Sequence, residues 1–175
     1  MNIKAANPSE GIKWVIDGVL AYGERPGYPQ LTVPARIVDQ WMDEVQRQGI
    51  RSVINMLSED EMAVYYRHLG QPLLQYYADA GLEAREVAHE DLGVVVTKRV
   101  LLDRVIAAFE NLPQPVIIHC SAGAERAKQA VNAICQDWKA CAKKPRRTRR
   151  QPSVISRQKP PTAEPPGTCD GNSLC

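Results

Sequence analysis

VIIHCSAGAERAKQA, residues 116–130, sets three β-branched residues directly before His119 and Cys120, and places Arg126 after five intervening residues. The apolar run predicts a buried strand ending at Cys120, and the residues from Arg126 onward read as helix. Between them lies a short loop, Ser121, Ala122, Gly123, Ala124 and Glu125. A strand that turns sharply into a helix leaves backbone N–H groups pointing into the turn, and the helix dipole adds positive potential there. Gly123 lets the backbone curl, because glycine alone takes positive φ at low cost. Arg126 in the first turn of the helix can present a planar fork to two oxygens of one anion. The arrangement is a cradle for a phosphate-like dianion, formed by Ser121–Arg126. The same field lowers a thiol's pKa from its free value near ~8.5, so Cys120 is expected to be a thiolate aimed at phosphorus.

Working outward, the chain alternates strand and helix signals. WVIDGVLA (14–21) reads as two short strands around the turn pair Asp17–Gly18. PARIVDQWMDEVQRQG (34–49) puts Ile37, Val38, Trp41, Met42 and Val45 on one helical face. RSVINML (51–57) reads as a buried strand, and Ser58 with Glu61 makes a capping box for a helix over 59–69. PLLQYYADAG supplies another helix, EAREVAH (83–89) a strand, HEDLG a loop, and 97–111 a helix with Leu101, Leu102, Val105, Ile106 and Phe109 inward. This order predicts an α/β fold, a mostly parallel central sheet flanked by helices. Ligands of such sheets bind beyond the carboxyl ends of the strands, where Cys120 stands.

HCSAGAER resembles the H-C-x5-R signature of the cysteine-dependent protein phosphatases. With GVLAYGERPG, GIRSVINML and YYADAGLEAREVAHEDL upstream, residues 14–138 resemble the small bacterial tyrosine/dual-specificity phosphatase-like proteins. The resemblance implies Cys120 as nucleophile, Arg126 as phosphate ligand and transition-state stabiliser, and His119 as a support for the thiolate. It also implies a carboxylic acid from a loop about thirty residues earlier. Asp91, 29 residues before Cys120 (120 − 91), is the assigned acid, with Glu90 as its competitor. Asp60 and Glu61 are explained by the capping box, and Tyr65, Tyr66, Tyr76 and Tyr77 by helix packing. Arg25 falls near the entrance or on the surface. CAKKPRR (141–147) repeats the C-x5-R spacing without a preceding strand, His or glycine, so spacing alone is weak evidence.

The chain departs from the family at Ala127, where a Ser or Thr hydroxyl usually assists departure of the thiolate from the phosphoenzyme. Slower breakdown of that intermediate, and reduced activity, are expected. The expected function is hydrolysis of phosphotyrosine, with phosphoserine and phosphothreonine open, through a cysteinyl phosphate. A phosphate-binding pseudophosphatase with little turnover is the alternative, and a rhodanese-like or arsenate-reductase-like thiol enzyme is a third reading. No cofactor and no metal are called for, and the expected partner is a phosphoprotein substrate.

The chain of 175 residues has a net charge of +2. Residues 1–138 hold 13 Lys+Arg against 18 Asp+Glu, and 139–175 hold 9 against 2. We expect a catalytic domain over 1–138 and a basic, Pro-rich disordered tail over 139–175, because so little apolar surface cannot offset the entropy of ordering. Contact of that tail with nucleic acid or acidic surfaces is the weaker reading beside a solvated tail. The N-terminus has no signal-peptide run and no stretch reaches the roughly 18 apolar residues of a membrane span, so a cytoplasmic protein without membrane contact is expected. The five cysteines are odd in number and form no C-x-x-C pair, which argues against a disulfide framework or zinc site.

Overall fold

The computed structural model describes residues 11–88, 90–91, 94–95 and 98–142, with side chains for 11–88 and 98–138. The first two strands, β1 (Ile12–Ile16) and β2 (Leu20–Glu24), lie on either side of the expected turn and pair antiparallel, with Gly18 at φ 66°. Helix α1 (Ala35–Arg47) begins after Pro34 and ends before Gly49, whose φ of 77° is a left-handed stop. Its Val38, Trp41, Met42 and Val45 are buried, as the 3.6-residue period requires. Strand β3 (Ser52–Asn55) is buried at every position, which is why it reads as a continuous run rather than an alternation.

Helix α2 (Glu59–Tyr65) carries the Ser58–Glu61 capping box in both directions. It stops earlier than the sequence suggests. The Tyr65 carbonyl, which would accept from Leu69 in a longer helix, accepts instead from the Val33 amide at 2.9 Å, and Leu69 bonds to Tyr66. A tertiary hydrogen bond therefore ends the helix. After α3 (Leu73–Asp79) and β4 (Glu83–Glu86), Glu90 and Asp91 of the expected HEDLG loop form a two-residue strand, β5 (Glu90–Asp91), paired with β6 (Val94–Val95) just beyond that loop. The β-branched valines supply its strand propensity. Then follow α4 (Lys98–Asn111), β7 (Val116–Cys120) and α5 (Glu125–Ala142). The domain boundary expected at residue 138 falls inside α5; the basic tail from 143 lies outside the described residues.

The sheet runs β1-β2-β7-β3-β4, with β2, β7, β3 and β4 parallel and β1 an antiparallel edge. Alternate residues of β7 serve opposite faces. Ile117 joins the core under α1 and α3, with Val38, Trp41, Leu73 and Tyr77, while Val116, Ile118 and Cys120 join the core under α4 and α5. This two-sided burial puts β7 in the middle of the sheet and its last residue at the carboxyl edge between β2 and β3.

Candidate active site

Both neighbours hold the end of β7. Glu24 stands opposite Cys120 in the register with β2, and Asn55 opposite His119 in the register with β3. Just beyond, the Arg25 amide donates to the Ser121 carbonyl at 3.1 Å and the Met56 amide to the His119 carbonyl at 2.9 Å. Asn55 is fully buried and its Oδ1 accepts from the Leu57 amide at 3.1 Å, which fixes the chain where it leaves β3. The loop Ser121–Ala124 then turns into α5. Gly123 sits at φ 60°, and a Cβ there would come within 2.6–2.7 Å of the Gly23 and Glu24 backbone. Both the sign of φ and the contact with β2 exclude any other residue.

Cys120 is 3 % exposed. Arg126 lies in the first turn of α5, so Cys120 and Arg126 stand at the two ends of the loop that joins β7 to this helix. What the sequence did not disclose is the partner of that arginine. Arg126 Nη1 donates to Glu61 Oε2 and Nη2 to Glu61 Oε1, both at 2.6 Å, and Nη1 also reaches the Met56 carbonyl at 2.8 Å. Glu61 thus has two tasks, closing the capping box and holding the guanidinium plane. Burial alone would raise its pKa; the hydrogen bonds from Arg126 and from the Ser58 backbone outweigh burial, and the net shift is down. The hydrogen bonds with Glu61 hold Arg126 further into its charged form against desolvation. The only sequence signal for this pairing was a carboxylate shortly after a strand flanking β7, and the capping box already accounted for it.

His119 points the other way. As the neighbour of Cys120 in a strand, it faces the α1/α3 layer, edge-on to Trp41 at 5.5 Å and to Tyr77 at 6.0 Å. Its Nε2 lies 3.1 Å from the Tyr77 hydroxyl, and Nδ1 meets no partner at hydrogen-bonding geometry. Desolvation pushes its pKa down to about 3, against an opposing contribution from the Cys120 backbone. His119 is therefore neutral near pH 7, with its ring set against Trp41 and Tyr77. Because the folded pKa lies below the ordinary 6.5, the unfolded chain binds the extra proton first. Stability should be full above pH 6.5 and fall by up to about 1.4 kcal/mol per pH unit as pH drops toward 3. Urea midpoints across that range should show the slope in the parent protein and a shallower one in His119→Gln.

The tyrosines do more than pack. Tyr77 is fully buried and holds His119, and the buried Tyr66 donates to the Pro26 carbonyl at 3.0 Å. The surface position expected as one reading of Arg25 is corrected: it is 2 % exposed, with its guanidinium 3.7 Å from the Tyr65 ring centroid. Ala127 is fully buried in the core that contains Cys120. Ser121 and Ala122 are half-buried, and Ala124 and Glu125 exposed. Asp91 and Glu90 lie on the short strand β5, and their side chains are outside the described residues. Among the described residues no group of three or more His, Cys, Asp or Glu is placed to hold a metal, and no helix is long and apolar enough to cross a membrane. A groove of about 500 Å³ between β4 and α4, lined by Arg85, Val87, Ala88 and Arg104, uses no residue of the loop that follows Cys120.

A mostly parallel five-stranded sheet with this strand-to-helix junction has the tyrosine/dual-specificity phosphatase-like fold of the cysteine-dependent phosphatases. The solved structures it resembles are of that kind. A crystal structure of Tk-PTP in a mutant form aligns with a TM-score of 0.50 at 19 % identity over 75 % of this chain and 74 % of that one. The catalytic core of Siw14 aligns with a TM-score of 0.51 at 17 % identity over 79 % and 72 %. No family model and no curated protein matches the chain.

Proposed function

We propose that this chain is a phosphatase that hydrolyses phosphotyrosine in proteins through a cysteinyl-phosphate intermediate. The observation that carries the reading is the junction at the end of β7. Cys120, a loop turned at a left-handed Gly123, and Arg126 held in plane by Glu61 converge on one helix N-terminus. The Cys120 thiolate attacks phosphorus while the bond to the tyrosyl oxygen breaks, and Asp91 gives that oxygen its proton. Water then attacks the phosphocysteine, Asp91 takes a proton from it, and inorganic phosphate leaves as the thiolate is restored. The loop amides and Arg126 bear the charge that develops on the equatorial oxygens.

Charge around the site favours a single phosphate on a protein over a polyphosphate. The loop contributes no Lys or Arg before Arg126, Glu125 opens α5, and Glu59, Asp60 and Glu61 form the first turn of α2 beside Arg126. Several phosphates on one small ring would meet these carboxylates at close range. Purified protein should hydrolyse phosphotyrosyl peptides at least about tenfold faster, in kcat/KM, than inositol polyphosphates at equal concentration. The reverse order in released phosphate would sink the protein-substrate reading and leave the phosphatase reading standing.

Asp91→Asn should slow a substrate with a poor alkyl-type leaving group by about 10²-fold or more, and nitrophenyl phosphate much less, since that leaving group needs little protonation. An equal loss on both, or a larger one in Glu90→Gln, would move the acid to the neighbouring carboxylate. Ala127 favours the second reading, a phosphate-binding pseudophosphatase. A fully buried alanine provides no hydroxyl beside the nucleophile's core. Phosphate binding without release of nitrophenol from nitrophenyl phosphate is the outcome that selects it.

A further inference from the structure

Of the five N–H donors that an arginine carries, Arg126 uses three within the protein. Both hydrogens of Nη1 are taken, one by the Met56 carbonyl and one by Glu61 Oε2, and Nη2 gives one to Glu61 Oε1. A carboxylate that grips Nη1 and Nη2 together sits at the end of the guanidinium plane. Its side remains, with one hydrogen on Nε and one on Nη2 that have no partner among the described residues. Those two hydrogens form a fork for two oxygens of one anion.

Tyr65 comes four residues after Glu61 on α2, so the two side chains lie on one face of the helix, a turn apart. Glu61 holds Arg126, and the Tyr65 ring covers Arg25, whose guanidinium is 3.7 Å from the ring centroid. Arg25 in turn holds the Ser121 carbonyl through its amide at 3.1 Å. Tyr65 therefore stands between residues bonded to the two ends of the loop, Ser121 and Arg126. Arg126 is kept charged chiefly by its hydrogen bond with Glu61, against desolvation, and Cys120 and Tyr65 act in the same direction. Cys120, Glu61 and Tyr65 are thus neighbours of one guanidinium. The ring itself is fixed: the Val33 amide donates to the Tyr65 carbonyl at 2.9 Å, and Tyr66 meets the ring edge-on at 6.3 Å. Only the hydroxyl is uncommitted. Tyr65 is half-buried, and among the described residues its hydroxyl has no hydrogen-bond partner. A packed tyrosine ordinarily finds one. Beside a guanidinium with an open fork, the phenol O–H is a further donor to the same anion.

We infer that Tyr65 is a phosphate-binding residue, its hydroxyl donating to an oxygen of the phosphoryl group held by the open side of Arg126. The inference rests on the proposed phosphatase reading of the Cys120–Arg126 junction. It gives α2 two parts at the site. Glu61 sets the guanidinium plane, and Tyr65, one turn on, adds a donor that carries no charge. A neutral donor strengthens the hold on one phosphate without the extra positive charge that a polyphosphate calls for.

The test is Tyr65→Phe in the full chain, which removes one oxygen and keeps the ring on Arg25 and Tyr66. Calorimetric titration with inorganic phosphate should show Kd raised about tenfold or more, the size expected for a lost hydrogen bond to a charged group. The kcat/KM for nitrophenyl phosphate should fall by a similar factor. Because the hydroxyl bonds to nothing among the described residues, the urea midpoint should stay at the parent value. Tyr76→Phe is the comparison, since that hydroxyl donates to Asp39 at 2.8 Å on the far side of α1 and α3, and its phosphate affinity should equal the parent's. Folded Tyr65→Phe with the parent's affinity overturns the inference, while nitrophenol release by the parent keeps the phosphatase reading. An equal loss in Tyr76→Phe, or a lowered urea midpoint in Tyr65→Phe, assigns the effect to the fold and overturns it too. A parent that neither binds phosphate nor releases nitrophenol removes both this inference and the reading beneath it.

Discussion

Cys120→Ser is expected to lower turnover of nitrophenyl phosphate by at least about 10⁴-fold while inorganic phosphate still binds. The two halves of that result have separate causes. The hydroxyl is a far weaker nucleophile at its free pKa, so loss of the thiolate removes the first chemical step. The cradle does not depend on the sulfur. It is built from the N-terminus of α5, from Gly123 packed on Gly23, and from the Arg25–Ser121 and Met56–His119 backbone bonds. The exchange of SH for OH changes little volume at a position 3 % exposed, so the fold should persist. Stopped assays for nitrophenol and calorimetric titration with phosphate read the two halves independently. Turnover at the parent rate would take Cys120 out of the mechanism, and loss of phosphate binding in a folded variant would put the sulfur in the cradle itself.

Arg126→Lys comes next in size, with an expected fall of about 10²–10³-fold in kcat/KM. The arginine makes three hydrogen bonds inside the protein, two to Glu61 and one to the Met56 carbonyl, and these fix the guanidinium plane. A lysine ammonium is a point charge on a flexible stem. It can keep a charge contact with Glu61, but it cannot hold that carboxylate on two nitrogens and also offer a fork to two phosphate oxygens. Glu61→Gln should show a smaller loss, carried mainly by KM, because the fork remains while one of its anchors is weakened. Near-parent kcat/KM in Arg126→Lys would mean that charge alone is sufficient and that the planar geometry held by Glu61 is idle.

Much of this protein can be read along the chain, because the decisive signals are local. The stretch 116–130 carries its own strand, turn and helix, and the spacing from Cys120 to Arg126 is a property of that one junction. The period of α1, the Ser58–Glu61 box and the turn at Gly18 are likewise set within a few residues of themselves, and each has its expected place in the fold. Alternation along β7 even implies that Cys120 and His119 face opposite layers, since side chains of a strand alternate by geometry. Contacts across the sheet leave no such trace. Val33 ends α2 early by taking the Tyr65 carbonyl, and nothing in residues 59–69 announces it. Glu61 meets an arginine 65 positions later only because β3 and β7 are neighbours in the sheet. Arg25, exposed by any composition rule, is drawn inside because the strand it follows runs beside β7 and because Tyr65 arrives from a separate helix to cover it. Local spacing therefore determined the strand, turn and helix that bring Cys120 and Arg126 to one junction. Burial and charge pairing, which depend on what the fold brings from elsewhere, were decided by the tertiary structure alone.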